Sequence, residues 1–455
     1  MVFSSIIFIF RFLPLIFFIY YITPRKLKNL SLLILSLVFY SFGEGKYFLL
    51  MILSILVDYS ISILIERYRS KRKISLLLLI LSVTFNLGIL IMFKYLNFFI
   101  ENINILLKSS LSLIEISLPL GISFYTFQTM SYTLDVYRGE VEAEKNIINF
   151  GAYVSLFPQL IAGPIVKYKD IKKELKDRRF KINEVEEGII EFILGLGKKV
   201  LLANNIGLLW KEVQDIGLDK VSTPLLWLGV MAFSLQIYFD FSGYSSMAIG
   251  LGKILGFNFP KNFNFPYTSK SITEFWRRWH ITLGSWFREY LYIPLGGNRL
   301  GKIKTIRNLF IVWLFTGLWH GANYNFIIWG LYFFVIISLE KFFLGKYLKE
   351  CKGLAYVYTL LLLLFGWAIF AFYDLSSIRY LFSFNLSFDF IYYIGNYFFV
   401  FLICILCSTK LVKRFYEKFI EKNKLLKSLV IIFIFILSIA YLVDSTYNPF
   451  LYFRF

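Results

Sequence analysis

The sequence has few of the residues on which most catalytic and metal sites depend. It contains two histidines and three cysteines in 455 residues, and 29 acidic side chains against 49 basic ones. Cys404 and Cys407 lie in an apolar run without metal-ligating neighbours, and Cys351 stands apart from them. We therefore expect neither a disulfide framework nor a metal site.

Long hydrophilic stretches are also scarce. Hydrophobic residues make up 58% of the chain. They form continuous runs, and a run of about 20 apolar residues is long enough to cross a bilayer as a helix. The sequence predicts an all-α fold, a polytopic transmembrane helical bundle with roughly eleven to thirteen membrane segments, some of them broken or interfacial. Because no repeat, linker or soluble domain interrupts the runs, residues 1–455 are predicted to form a single membrane domain.

The net charge of +20 comes from basic clusters between the apolar runs, around Arg25, around Arg67 and over residues 167–181. Such clusters are typical of cytoplasmic loops that face anionic lipid, and no aromatic-interleaved motif indicates binding to nucleic acid. The first apolar run lacks a basic leader and is followed by Arg25 and Lys26. We expect a multi-pass protein of the plasma membrane with an extracytoplasmic N-terminus.

His280 lies in the segment FWRRWHITLGSWFREYL. Read as one helix over residues 275–291, this segment is amphipathic, with aromatic residues on one face and an arginine-rich polar face opposite. It predicts an interfacial helix whose basic face binds lipid headgroups or the phosphates of an acyl-CoA. Ser271 and Glu274 predict a capping box at its start.

His320 separates two apolar runs in the stretch LFTGLWHGANYNF. Broken helices place irregular backbone at membrane depth only where it is buried in protein or lines a cavity. The pattern predicts a functional imidazole at the break, with Gly317 and Gly321 permitting close packing. The alternative, for His280 as for His320, is a hydrogen-bonded packing residue.

Two further polar residues, Gln236 and Asp240, share a helix face inside an apolar run. Asp240 is expected either to orient a histidine or to pair with an arginine.

Five stretches of the chain resemble the membrane-bound O-acyltransferase family, in particular its bacterial polysaccharide and peptidoglycan O-acetylating branch. They lie at residues 118–140, 155–168, 236–267, 273–299 and 317–330. The terminal NPFLYFRF at residues 448–455 also resembles the family's ending. One departure is Ser246, where an acidic residue is usual in the family.

The resemblance implies acyl transfer across the membrane through a central tunnel. It implies His320 as the general base, with His280 binding or orienting substrate or assisting proton transfer. No cofactor is expected to be bound, and the donor is expected to be an acyl thioester such as acetyl-CoA. The resemblance also implies an extracytoplasmic esterase-like partner and the lipid bilayer as surroundings. The supporting or substrate-binding candidates are Asp240, Gln236, Trp276, Arg277 and Asn323.

The leading hypothesis is O-acetyl transfer to hydroxyls of a cell-surface polysaccharide. A second hypothesis with similar chemistry is transfer of D-alanine to teichoic acid. A third, of another class, is a transporter or flippase without covalent chemistry. It predicts charged residues inside the spans and repeat symmetry, and the sequence offers little of either.

Overall fold

The computed structural model describes residues 2–161, 163–178, 180–444, 447–449 and 451. The terminal motif at residues 448–455 therefore lies partly outside the described residues. Within them the regular structure is helical, so the predicted all-α fold is confirmed.

The chain divides into two compact units, Met1–Ile189 with Ala248–Pro260, and Ile190–Met247 with Lys261–Phe455. The single-domain organisation stays a prediction. The helices of the first unit are α1 Leu13–Ile22, α2 Lys28–Glu44, α3 Phe48–Arg67, α4 Arg72–Leu107, α5 Ile122–Arg138, α6 Ile147–Ser155, α7 Phe157–Leu160 and α8 Tyr168–Lys176.

Two helices, α9 Ile182–Gly197 and α11 Thr223–Ile254, carry residues of both units. The remaining helices belong to the second unit: α10 Asn204–Ile216, α12 Ile272–Arg278, α13 Ile281–Phe287, α14 Lys302–His320, α15 Tyr324–Leu339, α16 Gly345–Glu350, α17 Lys352–Ala371, α18 Asp389–Cys407, α19 Lys410–Phe415 and α20 Lys424–Asp444. Turns of π-helix extend some of them, as at Lys198–Ala203 after α9 and at Glu340–Leu344 after α15.

Eight helical stretches of the described chain are long and apolar enough to cross a membrane. The longest, Arg25–Arg67, contains both α2 and α3, and the apolar helix Phe8–Ile22 is shorter than these spans. The multi-pass membrane architecture follows from their length and composition. The other spans are Arg72–Leu107, Ile182–Ile216, Thr223–Ile254, Tyr324–Glu350, Lys352–Ala371, Asp389–Cys407 and Lys424–Asp444.

Burial separates the core helix from the peripheral ones. In α11, 89% of the most apolar window is buried inside the protein, whereas the corresponding values for α18 and α20 are 6% and 11%. A helix that is apolar and buried all round packs in the protein core, while apolar helices with exposed side chains present them to lipid. The polar residues of α11 are therefore enclosed by protein.

Candidate active site

His280 lies at a sharp turn between two short helices. The backbone at His280 has φ +43°, which is left-handed, and it separates α12 from α13. The single helix predicted over residues 275–291 is therefore wrong. The predicted N-cap is present, since Ser271 Oγ accepts a hydrogen bond from Glu274 N at 3.0 Å. Glu274 closes the start of α12 by accepting from Lys270 N rather than from Ser271.

Asn262 supplies the hydrogen bonds that hold this turn. Its backbone oxygen accepts from Ile281 N at 2.9 Å. Its side-chain Oδ1 accepts from Thr282 N at 3.2 Å and from Thr282 Oγ at 2.9 Å, and lies 3.0 Å from His280 Nδ1. These bonds satisfy N–H groups that the start of α13 leaves without helical partners.

The imidazole of His280 is enclosed by protein. The residue is 2% exposed, and its ring lies 4.7 Å from the ring of Phe241, in an edge-on arrangement. Burial lowers the pKa of His280 to about 3, because removal from water disfavours the charged form. A neutral ring at physiological pH follows from this position.

His320 is the last residue of α14, and the chain resumes in α15 after a break at residues 321–323. This interruption confirms the predicted broken helix. After the break, the helical stretch Tyr324–Glu350 runs for 27 residues and is long enough to cross a membrane. The break arises where Asn323 caps α15, its side chain accepting from Asn325 N at 3.3 Å.

The two helices on either side of the break pack as an antiparallel pair with almost no space between their backbones. A Cβ added at Gly317 would lie 2.4 Å from the carbonyl oxygen of Phe326, and one at Gly330 would lie 2.4 Å from that of Trp313. Only glycine fits both positions. The close contact predicted from the small residues is confirmed at Gly317, and it fixes the position of His320.

Aromatic rings surround His320, which is 4% exposed. The centroid of its ring lies 4.9 Å from Trp329, 5.0 Å from Trp319 and 5.4 Å from Phe370, all edge-on. The ring of Trp319 also lies 5.9 Å from that of His280. The structure thus brings both predicted histidines into contact with the indole of Trp319.

Trp276 belongs to the same aromatic cluster. Its ring lies 5.3 Å from Trp329, 5.1 Å from Trp313 and 5.0 Å from Phe333. The indole nitrogens of Trp276 and Trp329 are buried and have no hydrogen-bond partner in the described part of the chain. Since buried donors are rarely left unpaired, these two N–H groups, of which that of Trp329 belongs to a ring in contact with His320, are candidates for binding an acceptor atom of a substrate.

Asp240 has other partners than the histidines. Its Oδ1 lies 2.8 Å from Lys199 Nζ, and its Oδ2 accepts from Leu451 N at 2.8 Å. Lys199 also donates to the carbonyl oxygen of Pro449. Gln236, one turn earlier, donates to Tyr447 Oη at 3.3 Å. The partner of Asp240 is thus a lysine rather than the expected arginine, and both Gln236 and Asp240 contact the C-terminal segment.

The two remaining candidates, Arg277 and Asn323, differ in how far they are exposed. Arg277 is exposed on α12, whereas Asn323 is half-buried in its capping position. Ser246, at the departure from the family pattern, accepts from Lys198 Nζ at 3.0 Å. An open recess of about 740 Å³, lined by residues such as Tyr47, Asn97 and Ser117, contains none of the predicted site residues. The central tunnel stays a prediction.

Sequence reasoning missed three residues that define these surroundings: Asn262, Trp319 and Lys199. Lys199 carried a signal, because a lysine in the apolar run GLGKKVLLA needs a buried partner. Asn262 and Trp319 carried none, since their importance depends on contacts made in the fold. Among the described residues, no group of three or more histidine, cysteine or acidic side chains is placed to hold a metal ion.

Comparison with known proteins gives a consistent result. The model of MBOAT, the membrane-bound O-acyltransferase family, matches residues 34–349. The chain is 43% identical to "Probable alginate O-acetylase AlgI" of Pseudomonas aeruginosa over 375 residues, which is 81% of this chain and 72% of the relative.

Two other relatives are more distant. The chain is 37% identical to the "Peptidoglycan O-acetyltransferase" of Helicobacter pylori, over 75% of this chain and 70% of the relative. It is 29% identical to the "Teichoic acid D-alanyltransferase" of Bacillus subtilis, over 55% of this chain and 68% of the relative. The family model matches more than half of this chain, and the relatives from Pseudomonas aeruginosa and Helicobacter pylori exceed 30% identity over most of it. The chain therefore belongs to the membrane-bound O-acyltransferase family and is an O-acyltransferase.

Proposed function

We propose that this protein moves an acetyl group from a cytoplasmic acyl thioester, such as acetyl-CoA, to hydroxyls of a cell-surface polysaccharide. Supporting this, its relatives at 43% and 37% identity are named as O-acetylating proteins. The relative named as a D-alanyltransferase is less similar, at 29%. Transfer of D-alanine to teichoic acid is therefore the second candidate.

The observation that carries the proposal is the position of His320 at the break between α14 and α15, enclosed by Trp319, Trp329 and Phe370. A hydroxyl is a weak nucleophile until its proton is removed, and a neutral imidazole is a suitable general base. Surrounding aromatic rings exclude water, which would otherwise hydrolyse the thioester.

The reaction follows from these groups. His320 takes the proton of the acceptor hydroxyl while the oxygen attacks the thioester carbonyl carbon. The carbon–sulfur bond then breaks, the thiolate leaves, and the proton held by the imidazole passes to it. General base catalysis contributes about 10²- to 10⁴-fold, so positioning of the two substrates supplies much of the remaining acceleration.

We further propose that a passage leads to His320 from each face of the membrane, so that donor and acceptor meet at one imidazole. His280 binds or orients substrate. The N-terminus is extracytoplasmic, and an esterase-like partner outside the membrane receives or hands on the acetyl group. Trp276, Arg277 and Asn323 are proposed as supporting or substrate-binding residues.

The test compares His320→Ala with Phe315→Leu, a substitution on the exposed face of the same helix. Both variants are expressed to equal levels in membranes, and surface acetyl groups are released by mild alkali and measured as acetate. We expect acetate to be lost in His320→Ala and kept in Phe315→Leu. Unchanged acetylation in His320→Ala contradicts the proposal, and altered export of the polymer with normal acetylation favours a transporter.

A further inference from the structure

The contact between His280 Nδ1 and the side chain of Asn262 determines which ring nitrogen of His280 carries the proton. Asn262 Oδ1 is 3.0 Å from His280 Nδ1 and is also approached by Thr282 N at 3.2 Å and Thr282 Oγ at 2.9 Å. Three groups thus converge on one side-chain atom of Asn262. The residue is 1% exposed, so water does not take part freely in these contacts.

The backbone N–H of Thr282 determines which end of the Asn262 amide faces the turn. A backbone N–H only donates, so the atom that it approaches must be the carbonyl oxygen. The opposite orientation would place the amide nitrogen 3.2 Å from Thr282 N, with two sets of N–H donors facing each other. The oxygen is therefore the atom next to His280.

A carbonyl oxygen only accepts hydrogen bonds, so His280 Nδ1 must carry a proton in order to pair with it. In a neutral imidazole the proton on one nitrogen leaves a lone pair on the other. His280 is 2% exposed, and its removal from water disfavours the charged ring. The neutral ring then has its lone pair on Nε2.

We propose that Asn262 is a positioning residue that holds His280 as the Nδ1–H tautomer, so that Nε2 acts only as a hydrogen-bond acceptor towards substrate. In this state His280 accepts a hydrogen bond through Nε2 from a hydroxyl of the acceptor other than the one that His320 deprotonates. It does not donate from Nε2 to the developing oxyanion. The substrate role rests on the proposed function, whereas the tautomer does not.

The tautomer can be observed directly because the chain has two histidines. The full-length protein is labelled with ring-¹⁵N histidine and reconstituted in lipid vesicles, and its imidazole nitrogens are recorded by solid-state NMR. The variant His320→Gln leaves one labelled ring and assigns the signals. We expect Nδ1 of His280 to be protonated and Nε2 to be unprotonated.

Three variants separate the role of Asn262 from general damage to the fold. Asn262→Leu removes the acceptor and is expected to shift the proton of His280 towards Nε2. Asn262→Asp keeps an acceptor oxygen and is expected to keep the proton on Nδ1. Thr282→Val removes one other bond to the same oxygen and is expected to leave the tautomer unchanged. A wild-type ring protonated at Nε2, or an Asn262→Asp ring that loses its Nδ1 proton, would overturn the proposal.

Turnover of acetyl-CoA, followed as released thiol, tests the consequence for catalysis. We expect Asn262→Leu to lower kcat by about 10- to 100-fold with KM little changed, and Asn262→Asp to restore most of it. With Asn262→Asp, the carboxylate stabilises a protonated His280, so the acidic limb of the pH profile moves to higher pH.

If His320→Gln keeps full turnover, the proposed function fails while the NMR result still decides the tautomer. If His320→Gln is inactive and both Asn262 variants turn over normally, the positioning role alone is wrong.

Discussion

Lys199 and Asp240 form an ion pair with Nζ and Oδ1 2.8 Å apart, and each side chain is only 2% exposed. Removing two charges from water is costly, and their attraction offsets that cost only when further hydrogen bonds satisfy the remaining atoms. Here those bonds come from Leu451 N and the carbonyl oxygen of Pro449. The pair therefore links α11 to the C-terminal segment.

We expect Asp240→Ala to destabilise the protein strongly, by about 3–5 kcal/mol, because it leaves the ammonium of Lys199 buried without its partner. The double variant Lys199→Met, Asp240→Leu is expected to regain most of the loss, since it removes both charges. Thermal unfolding of the detergent-solubilised protein measures both effects. A normal melting temperature in Asp240→Ala, together with lost acetylation, would instead place Asp240 in the catalytic machinery.

Trp276→Phe tests whether the buried indole nitrogen of Trp276 binds substrate. The phenyl ring keeps the edge-on packing against Trp313 and Trp329 but removes the N–H donor. We expect the KM for acetyl-CoA to rise about 2- to 10-fold, the effect of one lost hydrogen bond, with a similar melting temperature. Trp313→Phe, in the same cluster, is the matched control. An unchanged KM in Trp276→Phe would assign the ring to packing alone.

The buried His280 makes stability depend on pH in a defined direction. Its pKa is lowered to about 3 in the folded protein, against about 6.5 in an unfolded chain. Between these values the unfolded chain binds a proton that the folded protein does not. The stabilisation is thus complete above pH 6.5 and is lost progressively as the pH falls towards 3.

We therefore expect the free energy of unfolding of the wild type to fall more steeply between pH 7 and pH 4.5 than that of His280→Gln, by up to about 1.4 kcal/mol per pH unit. Melting temperatures of the two proteins over this pH range measure the difference. His320 is common to both proteins, so its titration cancels in the comparison. Parallel pH curves for the two proteins would show that His280 is not buried in its neutral form.

The two-sided passage can be tested by placing a thiol at the break. In a background where Cys351, Cys404 and Cys407 are replaced by serine, His320→Cys is exposed to a charged, membrane-impermeant thiosulfonate in vesicles of each orientation. We expect modification from both faces, because the proposed substrates are polar and arrive from opposite sides. Phe315→Cys, on the exposed face of α14, should resist the reagent. Modification of His320→Cys from one face only would exclude a through passage.

The fold class and the broken helix could be predicted because both depend on local patterns. Apolar runs of spanning length need no partner to be recognised, and the sequence HGANYN interrupts such a run visibly. The contact at Gly317 followed from the same reasoning, since small residues in a membrane helix favour close packing.

The geometry around His280 could not be predicted in this way. A hydrophobic pattern continuous over residues 275–291 indicates one helix, and nothing in it reveals the left-handed backbone at His280. That conformation is stabilised by hydrogen bonds to Asn262, which lies 18 residues earlier in the sequence. The partner of Asp240 could not be predicted for the same reason, because Lys199 belongs to a different helix.

The helix before His280 has seven residues, and the one after it has twelve when its π-helical continuation to Tyr292 is included. Isolated helices need about 12–15 residues to be even marginally stable in water, so each segment is at best marginally stable on its own. Because Asn262 supplies bonds to both His280 and Thr282, we expect the turn to form only after the loop bearing Asn262 has packed against it. His280 is thus expected to reach its working geometry late in biogenesis, and inserting a single residue between 262 and 282 would abolish it without disturbing any membrane span.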